Sequence, residues 1–176
     1  FISRYAVYHQ RYSTNTFPTW SLAQPFRVIA HNGEINTLKG NKNWMAAHEP
    51  RMEHKNFGNN VDDLKPIIDA KASDSAALDS TIELLVKANR SLPMAKIITI
   101  PEAWSHRRDF PKKIKDLYAY GGAVMEPWDG PAAICGAYGD WAIAGMDRNG
   151  LRPIRYTLTK NLLIAGSETG MVDIKE

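Results

Sequence analysis

A tight polar turn directly after an apolar run is the feature that most constrains the fold of this chain. The apolar residues 28–30 are typical of a buried strand, and the segment His31-Asn32-Gly33-Glu34-Ile35-Asn36 follows them. Glycine lets the backbone turn sharply and leaves its N–H approachable, and the asparagine beside it offers a side-chain N–H. Two neutral donors that converge on one point can stabilise a developing oxyanion. An ordinary Asn-Gly hairpin turn explains the same residues, so other parts of the chain are needed to distinguish the two interpretations.

Apolar patterns predict strands near both ends of the chain and helices between them. Strands are predicted at 5–12, 27–31, 131–138, 141–146, 155–158 and 162–165, with hairpin turns at 139–140 and 159–161. Helices are predicted at 36–48, 73–90 and 112–120, and loops at 13–20 and 55–71. Ser73 or Ser75 can cap the second helix, whose predicted buried stripe is Leu78, Ile82, Leu85 and Val86. The apolar, β-branched stretch 96–100 is ended by Pro101. This order favours a single α+β domain.

Composition excludes several classes of function. The 176 residues carry a net charge of only +3, which does not indicate binding to nucleic acid or to an anionic membrane. We find no apolar run long enough to span a bilayer. The single cysteine cannot form an internal disulfide, so a reducing, cytoplasmic compartment fits. The chain starts at Phe1 without an initiator methionine, and we expect it to be part of a longer protein.

Two charged side chains are candidates for holding a ligand. Arg11 closes the first predicted strand, where its guanidinium can bind a carboxylate in a forked geometry; a solvent-exposed arginine is the alternative. Asp74 lies at the start of the helix predicted at 73–90, where its carboxylate can hold an ammonium group; a helix cap is the alternative. With the Asn32-Gly33 pair, this set would bind an α-amino acid and stabilise attack on its side-chain carbonyl.

Other reactive side chains are weaker candidates. His9, His31 and Glu34 lack the compact spacing of a metal site, so no metal is predicted. Cys135 lies within an apolar predicted strand, which is the environment of an inert core thiol. No residue in the set therefore supplies a nucleophile or a base.

Several segments of the chain resemble the class II glutamine amidotransferases, which have the N-terminal-nucleophile hydrolase fold. The similar segments are 9–16, 31–37, 73–75 and 147–153. Segments 36–41 and 120–133 are similar to the glutamate synthase branch of that family, and the resemblance covers nearly the whole chain in the family's order. It implies a four-layer αββα sandwich, here incomplete at its N-terminus, with residues 1–176 as a partial amidotransferase domain.

The resemblance also implies roles for individual residues. Arg11 should hold the α-carboxylate of glutamine, and Asp74 its α-amino group. The Asn32 side chain and the Gly33 N–H should form the oxyanion hole. The segments 147–153 and 165–168 resemble framework motifs that we do not expect to touch substrate.

The family's nucleophile is an N-terminal cysteine whose own α-amino group is the base, and Phe1 stands first here. We expect that the nucleophile lies upstream of this chain; a genuine loss of the nucleophile is the alternative. These residues alone should therefore have no glutaminase activity. They should also be poorly soluble on their own, because missing strands would expose sheet edges.

For the complete protein, the resemblance implies hydrolysis of glutamine through a cysteinyl thioester and use of the ammonia to convert 2-oxoglutarate to glutamate. FMN and an iron–sulfur cluster would serve as cofactors outside this chain. The donor (NADPH, NADH or ferredoxin), a small partner subunit and the oligomeric state stay open, and the compartment would be cytoplasmic, or a plastid in a plant or alga. The alternatives are an amino-acid-binding module without a nucleophile, an amidophosphoribosyltransferase, or an asparagine synthetase.

Overall fold

A computed structural model describes residues 1–12 and 16–174 of the chain. Residues 13–15 of the predicted loop 13–20, and with them part of the similar segment 9–16, lie outside the described residues. The strands are β1 (Ile29–Gly33), β2 (Ala132–Tyr138), β3 (Trp141–Met146), β4 (Arg155–Leu158) and β5 (Leu163–Gly166). The α-helices are α1 (Leu38–His48), α2 (Asp74–Lys87), α3 (Leu92–Thr99) and α4 (Lys112–Val124). Short 3₁₀ turns occupy Trp20–Leu22, Glu49–Arg51 and Gly58–Leu64.

The strands form one antiparallel sheet and one separate hairpin. The sheet has the order β1-β2-β3, with Ile29 opposite Gly136 and Tyr138 opposite Trp141, and β4 pairs with β5. Ile29 and Ile134 lie on the sheet face that packs against the helices, and both are fully buried. The opposite face meets the hairpin, where the Cys135 thiol lies 3.9 Å from the Ala165 carbonyl oxygen.

The predicted α+β class agrees with this mixture of helices and sheet, but the four-layer sandwich is not confirmed. Among the described residues, one helical layer covers the β1-β2-β3 sheet and the β4-β5 hairpin lies on the other side. A two-stranded hairpin is a small second sheet. The described part of the chain therefore builds three layers.

Helix α2 begins and packs as its sequence predicts. The Ser73 hydroxyl accepts a hydrogen bond from the Ala76 N–H, which makes Ser73 the N-cap. The apolar stripe Leu78, Ile82, Leu85 and Val86 is buried. The helix ends at Lys87, three residues before the predicted end at residue 90, and Asn89 then takes a positive φ of 64°.

A compact core lies between the helices and the sheet. Its largest member, Trp128, is buried and donates its backbone N–H to the Thr99 carbonyl at 2.7 Å. The other fully buried large apolar residues come from two helices or their flanks and from two strands: Ile29, Leu78, Ile82, Leu92, Ile98, Ile100 and Ile134. The helical layer is thus packed directly against β1 and β2.

One predicted strand is absent, and one helix, α3, is present where no element is predicted. Residues 5–12 form no strand, and among the described residues they make one isolated bridge, from Tyr12 to Ala23. A strand needs a neighbouring strand for its backbone hydrogen bonds, and none of the described strands lies beside this segment. The stretch 96–100 belongs mostly to α3, because the Ser91 hydroxyl caps that helix and Pro93 suits its first turn.

Candidate active site

The C-terminal end of β1 presents a backbone donor at an open sheet edge. Glu34 donates its backbone N–H to the Pro131 carbonyl, and Ala137 donates its backbone N–H to the Val28 carbonyl. The even-numbered residues of β1 therefore form the backbone hydrogen bonds with β2. The N–H groups of the odd-numbered residues point the other way, and that of His31 reaches Gln24 at 2.6 Å. By the same alternation, the Gly33 N–H points away from β2. Because Gly33 is exposed, an incoming group can reach this donor.

Only glycine fits at position 33. Its φ is +143°, and a Cβ there would lie 1.9 Å from the Pro131 carbonyl oxygen. Gly130 lies equally close to the segment after β1: a Cβ atom added to it would lie 2.0 Å from the Glu34 carbonyl oxygen. The Asn36 N–H donates to the Asp129 carbonyl at 2.7 Å. The turn after β1 is therefore clamped onto segment 129–131.

The Asn32 side chain lies on the opposite sheet face from His31, toward the β4-β5 hairpin. Its amide donates one N–H to the Ser167 hydroxyl at 2.8 Å, and the amide has a second N–H. Ser167 directly follows β5, so the hairpin orients this amide. Sequence reasoning assigned 165–168 to the framework and missed this contact. The only signal was the similarity of that segment to the family.

Asp74 connects the start of α2 to the end of β1. One carboxylate oxygen accepts the Ile35 N–H at 2.8 Å, and the other accepts the Ser75 N–H at 2.7 Å and the Ser75 hydroxyl at 3.2 Å. A carboxylate has about four acceptor positions, so Asp74 keeps room for one more donor. The side chain is half-buried. The helix cap is Ser73, so the alternative interpretation of Asp74 as the cap is wrong.

The structure does not bring Arg11 into contact with the other three candidate residues. Arg11 is exposed, and its backbone N–H donates to the His9 ring at 2.9 Å. Within the described residues, no hydrogen bond or ion pair joins its guanidinium to Asp74 or to Asn32. His9 acts electrostatically on His31, which places the Arg11 segment on the β1 side of the molecule.

His31 is buried beside these residues. Only 3% of it is exposed, and its Nε2 atom has no hydrogen-bond partner among the described residues. Burial lowers the pKa of His31; the charge of Asp74 opposes this, while His9 and Arg152 add to it. The ring is therefore held in its neutral form near neutral pH.

Cys135 lies within β2, as predicted. Burial raises the pKa of its thiol, and its nearest polar contact is the Ala165 carbonyl. A nucleophilic cysteine needs the opposite shift, toward the thiolate. This environment supports its role as an inert core thiol.

Two buried carboxylates that organise the site were not among the predicted residues. Asp79 accepts the backbone N–H groups of Arg27, Val28 and Ile29 and so fixes the start of β1. Asp147 accepts four backbone N–H groups, all within 3.0 Å: those of Ala132, Asn149, Leu151 and Arg152. No short-range pattern signals the Asp79 contacts, because Asp79 and Arg27 are 52 residues apart.

A cavity of about 420 Å³ lies elsewhere, between α3, α4 and the end of β3, and Lys96, Glu102 and Tyr118 are among its lining residues. None of the four candidate residues lines it. Within the described residues, no group of three or more His, Cys, Asp or Glu side chains is placed to hold a metal ion. Every helix in that part of the chain is too short or too polar to cross a membrane.

Comparison with known proteins gives one consistent result. The family model for class II glutamine amidotransferases matches residues 1–176. The chain is 59% identical to the large chain of NADPH glutamate synthase from Azospirillum brasilense, over 100% of this chain and 12% of the relative. It is 48% identical to a ferredoxin-dependent glutamate synthase from Pyropia yezoensis, over 99% of this chain and 12% of that protein.

A third relative shows how widely the similarity extends. The chain is 44% identical to the large chain of NADPH glutamate synthase from Bacillus subtilis, over 100% of this chain and again 12% of the relative. The chain thus spans about 12% of the length of these relatives. Because the family model matches its whole length, this chain belongs to the class II glutamine amidotransferases.

Proposed function

We propose that these residues form most of the glutaminase site of a glutamate synthase large chain. The observation that carries this proposal is the meeting of an amide donor, a backbone donor and a carboxylate at one end of β1, from Asn32, Gly33 and Asp74. All three are at least partly exposed, so a small ligand can reach them. Residues 1–176 are one partial amidotransferase domain in this proposal.

The two charged residues hold the amino-acid end of glutamine in this proposal. The α-ammonium group donates to the remaining acceptor position of Asp74, and the α-carboxylate binds the Arg11 guanidinium. The side chain of glutamine then extends along the end of β1. This arrangement selects an α-amino acid, because each charge of the ligand meets its opposite.

Asn32 and Gly33 act on the reacting amide. The α-amino group of a cysteine outside these 176 residues takes the proton of its own thiol, and the thiolate attacks the carbonyl carbon of glutamine. The carbonyl oxygen becomes an oxyanion that the two N–H donors stabilise. Collapse of this intermediate forms the thioester and expels the amide nitrogen, which takes the proton from the α-ammonium group and leaves as ammonia. Water then hydrolyses the thioester to glutamate and restores the thiol. Ser167 keeps the Asn32 amide oriented throughout.

The later chemistry belongs to other parts of the complete protein. The chain contains one cysteine, and an iron–sulfur cluster requires several thiolate ligands, so we propose that the cluster and FMN are held elsewhere. Ammonia from glutamine would there meet 2-oxoglutarate and electrons from a reduced donor. We place the protein in the cytoplasm, or in a plastid if its source is a plant or alga.

Kinetics of the full-length protein test the oxyanion role. Replacing Asn32 by Ala removes one donor, and kcat for ammonia release from glutamine should fall by about 100- to 1000-fold with little change in KM. His106→Gln changes an exposed side chain remote from the site and is the control. An unchanged kcat in Asn32→Ala would contradict the proposal.

A further inference from the structure

The His31 ring occupies a position that disfavours a positive charge. It lies on the helix-facing side of β1, and its Nε2 atom is enclosed without a hydrogen-bond partner among the described residues. A protonated ring would carry an N–H donor at that atom and bury it without an acceptor. Burying an unpaired charged donor costs far more free energy than burying a neutral ring nitrogen.

Three charged or titratable groups act electrostatically on the ring, each from a different part of the fold. Asp74 lies at the start of α2, His9 in the N-terminal segment, and Arg152 in the loop between β3 and β4. Asp74 favours a proton on His31, whereas His9 and Arg152 oppose it. The Arg152 guanidinium is itself held by Glu168 at 2.6 Å.

The Asp74 carboxylate has no cationic partner in the described part of the chain. Its hydrogen bonds come from the Ile35 N–H and from Ser75, which are all neutral donors. Within the described residues, no cationic side chain therefore forms an ion pair with Asp74. This is the state that a carboxylate needs to attract an ammonium group, and a protonated His31 would remove it.

We propose that His31 is a positioning residue whose neutral ring keeps the charge of Asp74 available to the α-ammonium group of glutamine. The inference rests on the proposed glutaminase function and deepens it. A proton on His31 and the ammonium group of glutamine compete electrostatically for the same carboxylate. Each therefore weakens the binding of the other.

The competition predicts how KM for glutamine depends on pH. Because burial lowers the pKa of His31 from its usual value of 6.5, the ring gains its proton only below that pH. KM for glutamine should rise as the pH falls through that pKa, by up to about tenfold per pH unit. The kcat of the bound complex should show no matching change from His31, because bound glutamine keeps the ring neutral.

The first test measures KM and kcat of the full-length protein from about pH 5 to about pH 8, the range over which histidine titrates. His31→Gln stays neutral at every pH, so its KM should lose the acidic rise. His106→Gln, the exposed control, should keep the rise of the wild type. A KM that rises equally in wild type and His31→Gln would overturn the proposal, as would a flat wild-type KM.

A second variant acts from a different element and leaves the buried ring intact. Arg152→Gln removes a positive charge that disfavours the His31 proton, so the rise in KM should begin at a higher pH. Arg152→Lys keeps the charge and should behave like the wild type. If His31→Gln does not fold, this pair decides: equal profiles for Arg152→Gln and Arg152→Lys would overturn the proposal.

Different results would overturn the proposed function and the role of His31. A wild-type protein that hydrolyses no glutamine at any pH would overturn the proposed function, and this inference with it. A protein that hydrolyses glutamine but shows the same KM profile in every variant would overturn the role of His31 alone.

Discussion

The end of β1 and the N-terminal segment 1–12 carry the two halves of the proposed glutamine site, and they are built very differently. Gly33 is clamped against Pro131, and Asp74 is bound to Ile35 and to the start of α2. Segment 1–12 contains no helix or strand and is largely exposed. Its described contacts with the rest of the chain include the Tyr12–Ala23 bridge and a 2.9 Å bond from the Tyr8 hydroxyl to the Met171 carbonyl.

This difference indicates that the two regions have different roles in the proposed site. The groups proposed to act on the reacting carbonyl are fixed before substrate arrives, and such preorganisation is what lowers a barrier. Arg11, proposed to hold the α-carboxylate, lies on the less constrained segment. Changes at Asn32 and Gly33 should therefore affect stability or kcat, whereas changes at Arg11 should affect KM.

The largest expected effect is at Gly33. Gly33→Ala combines an unfavourable φ with a collision against the Pro131 backbone, and should destabilise this region by about 4 kcal/mol or more. Hydrogen exchange of residues 29–37 and 129–136 in the full-length protein measures the change. Gly40→Ala is the matched control: its Cβ meets nothing within 4 Å in α1, so it should stabilise by about 0.5–1 kcal/mol. Equal protection in the two variants would contradict the claim that the end of β1 is tightly constrained.

The next effect is at Asp147, which joins the loop after β3 to the start of β2. Asp147→Asn leaves backbone N–H donors without acceptors and should cost about 3 kcal/mol near pH 7. Burial alone raises the pKa of Asp147, but its four backbone donors outweigh that and lower it below 3.8. Its stabilisation is therefore present above pH 3.8 and is lost as the pH falls through the lowered pKa.

Hydrogen exchange of residues 132 and 149–152, in wild type and Asp147→Asn, checks both statements. The difference in opening free energy should be greatest near neutral pH and should shrink at acidic pH, because a protonated Asp147 no longer accepts all four bonds. A difference that grows on acidification would contradict the direction of the pKa shift.

A smaller, purely functional effect is expected at Arg11. Arg11→Ala removes a charged hydrogen bond to the substrate, worth about 1.5–3 kcal/mol, so KM for glutamine should rise by about 10- to 100-fold. Stability should stay within about 0.5 kcal/mol, because the side chain is exposed. Arg4→Ala changes another exposed arginine of the same segment and should leave KM unchanged. A large loss of stability in Arg11→Ala would remove the contrast between the two regions.

The smallest effect is expected at Cys135. Cys135→Ala should leave glutamine hydrolysis by the full-length protein unchanged, because its thiol is half-buried and its raised pKa keeps it protonated. For the same reason, residues 1–176 alone should release no ammonia from glutamine. An ammonia-release assay that detects turnover by these residues would contradict both statements.

The sequence predicts those parts of the fold whose signals are local. The β1 turn, the Ser73 cap with its buried stripe, and the β2-β3 and β4-β5 hairpins all lie close to their predicted positions. Segment 5–12 has strand-forming residues, but a strand also needs a neighbouring strand to pair with. The sequence of the segment itself does not show whether that neighbour is present. In α3, the cap and proline at its start outweigh the β-branched residues near its end.

The candidate site could be predicted only as residue types, not as contacts. The hydrogen bond from Asn32 to Ser167 spans 135 residues, and the one from Ile35 to Asp74 spans 39. Likewise, Gly130 is needed because Glu34 lies against it, and nothing near Gly130 in the sequence signals that approach. The unpartnered ring of His31 is visible only once the helices are packed on the sheet.

A crystal structure of the full-length protein with bound L-glutamate would show directly whether these four residues hold the amino acid. We expect the α-ammonium group of glutamate to lie within hydrogen-bond distance of Asp74 and its α-carboxylate to lie against Arg11. One γ-carboxylate oxygen should point at the Asn32 amide and the Gly33 N–H. An ordered glutamate in this domain that contacts none of these groups would contradict the proposed site.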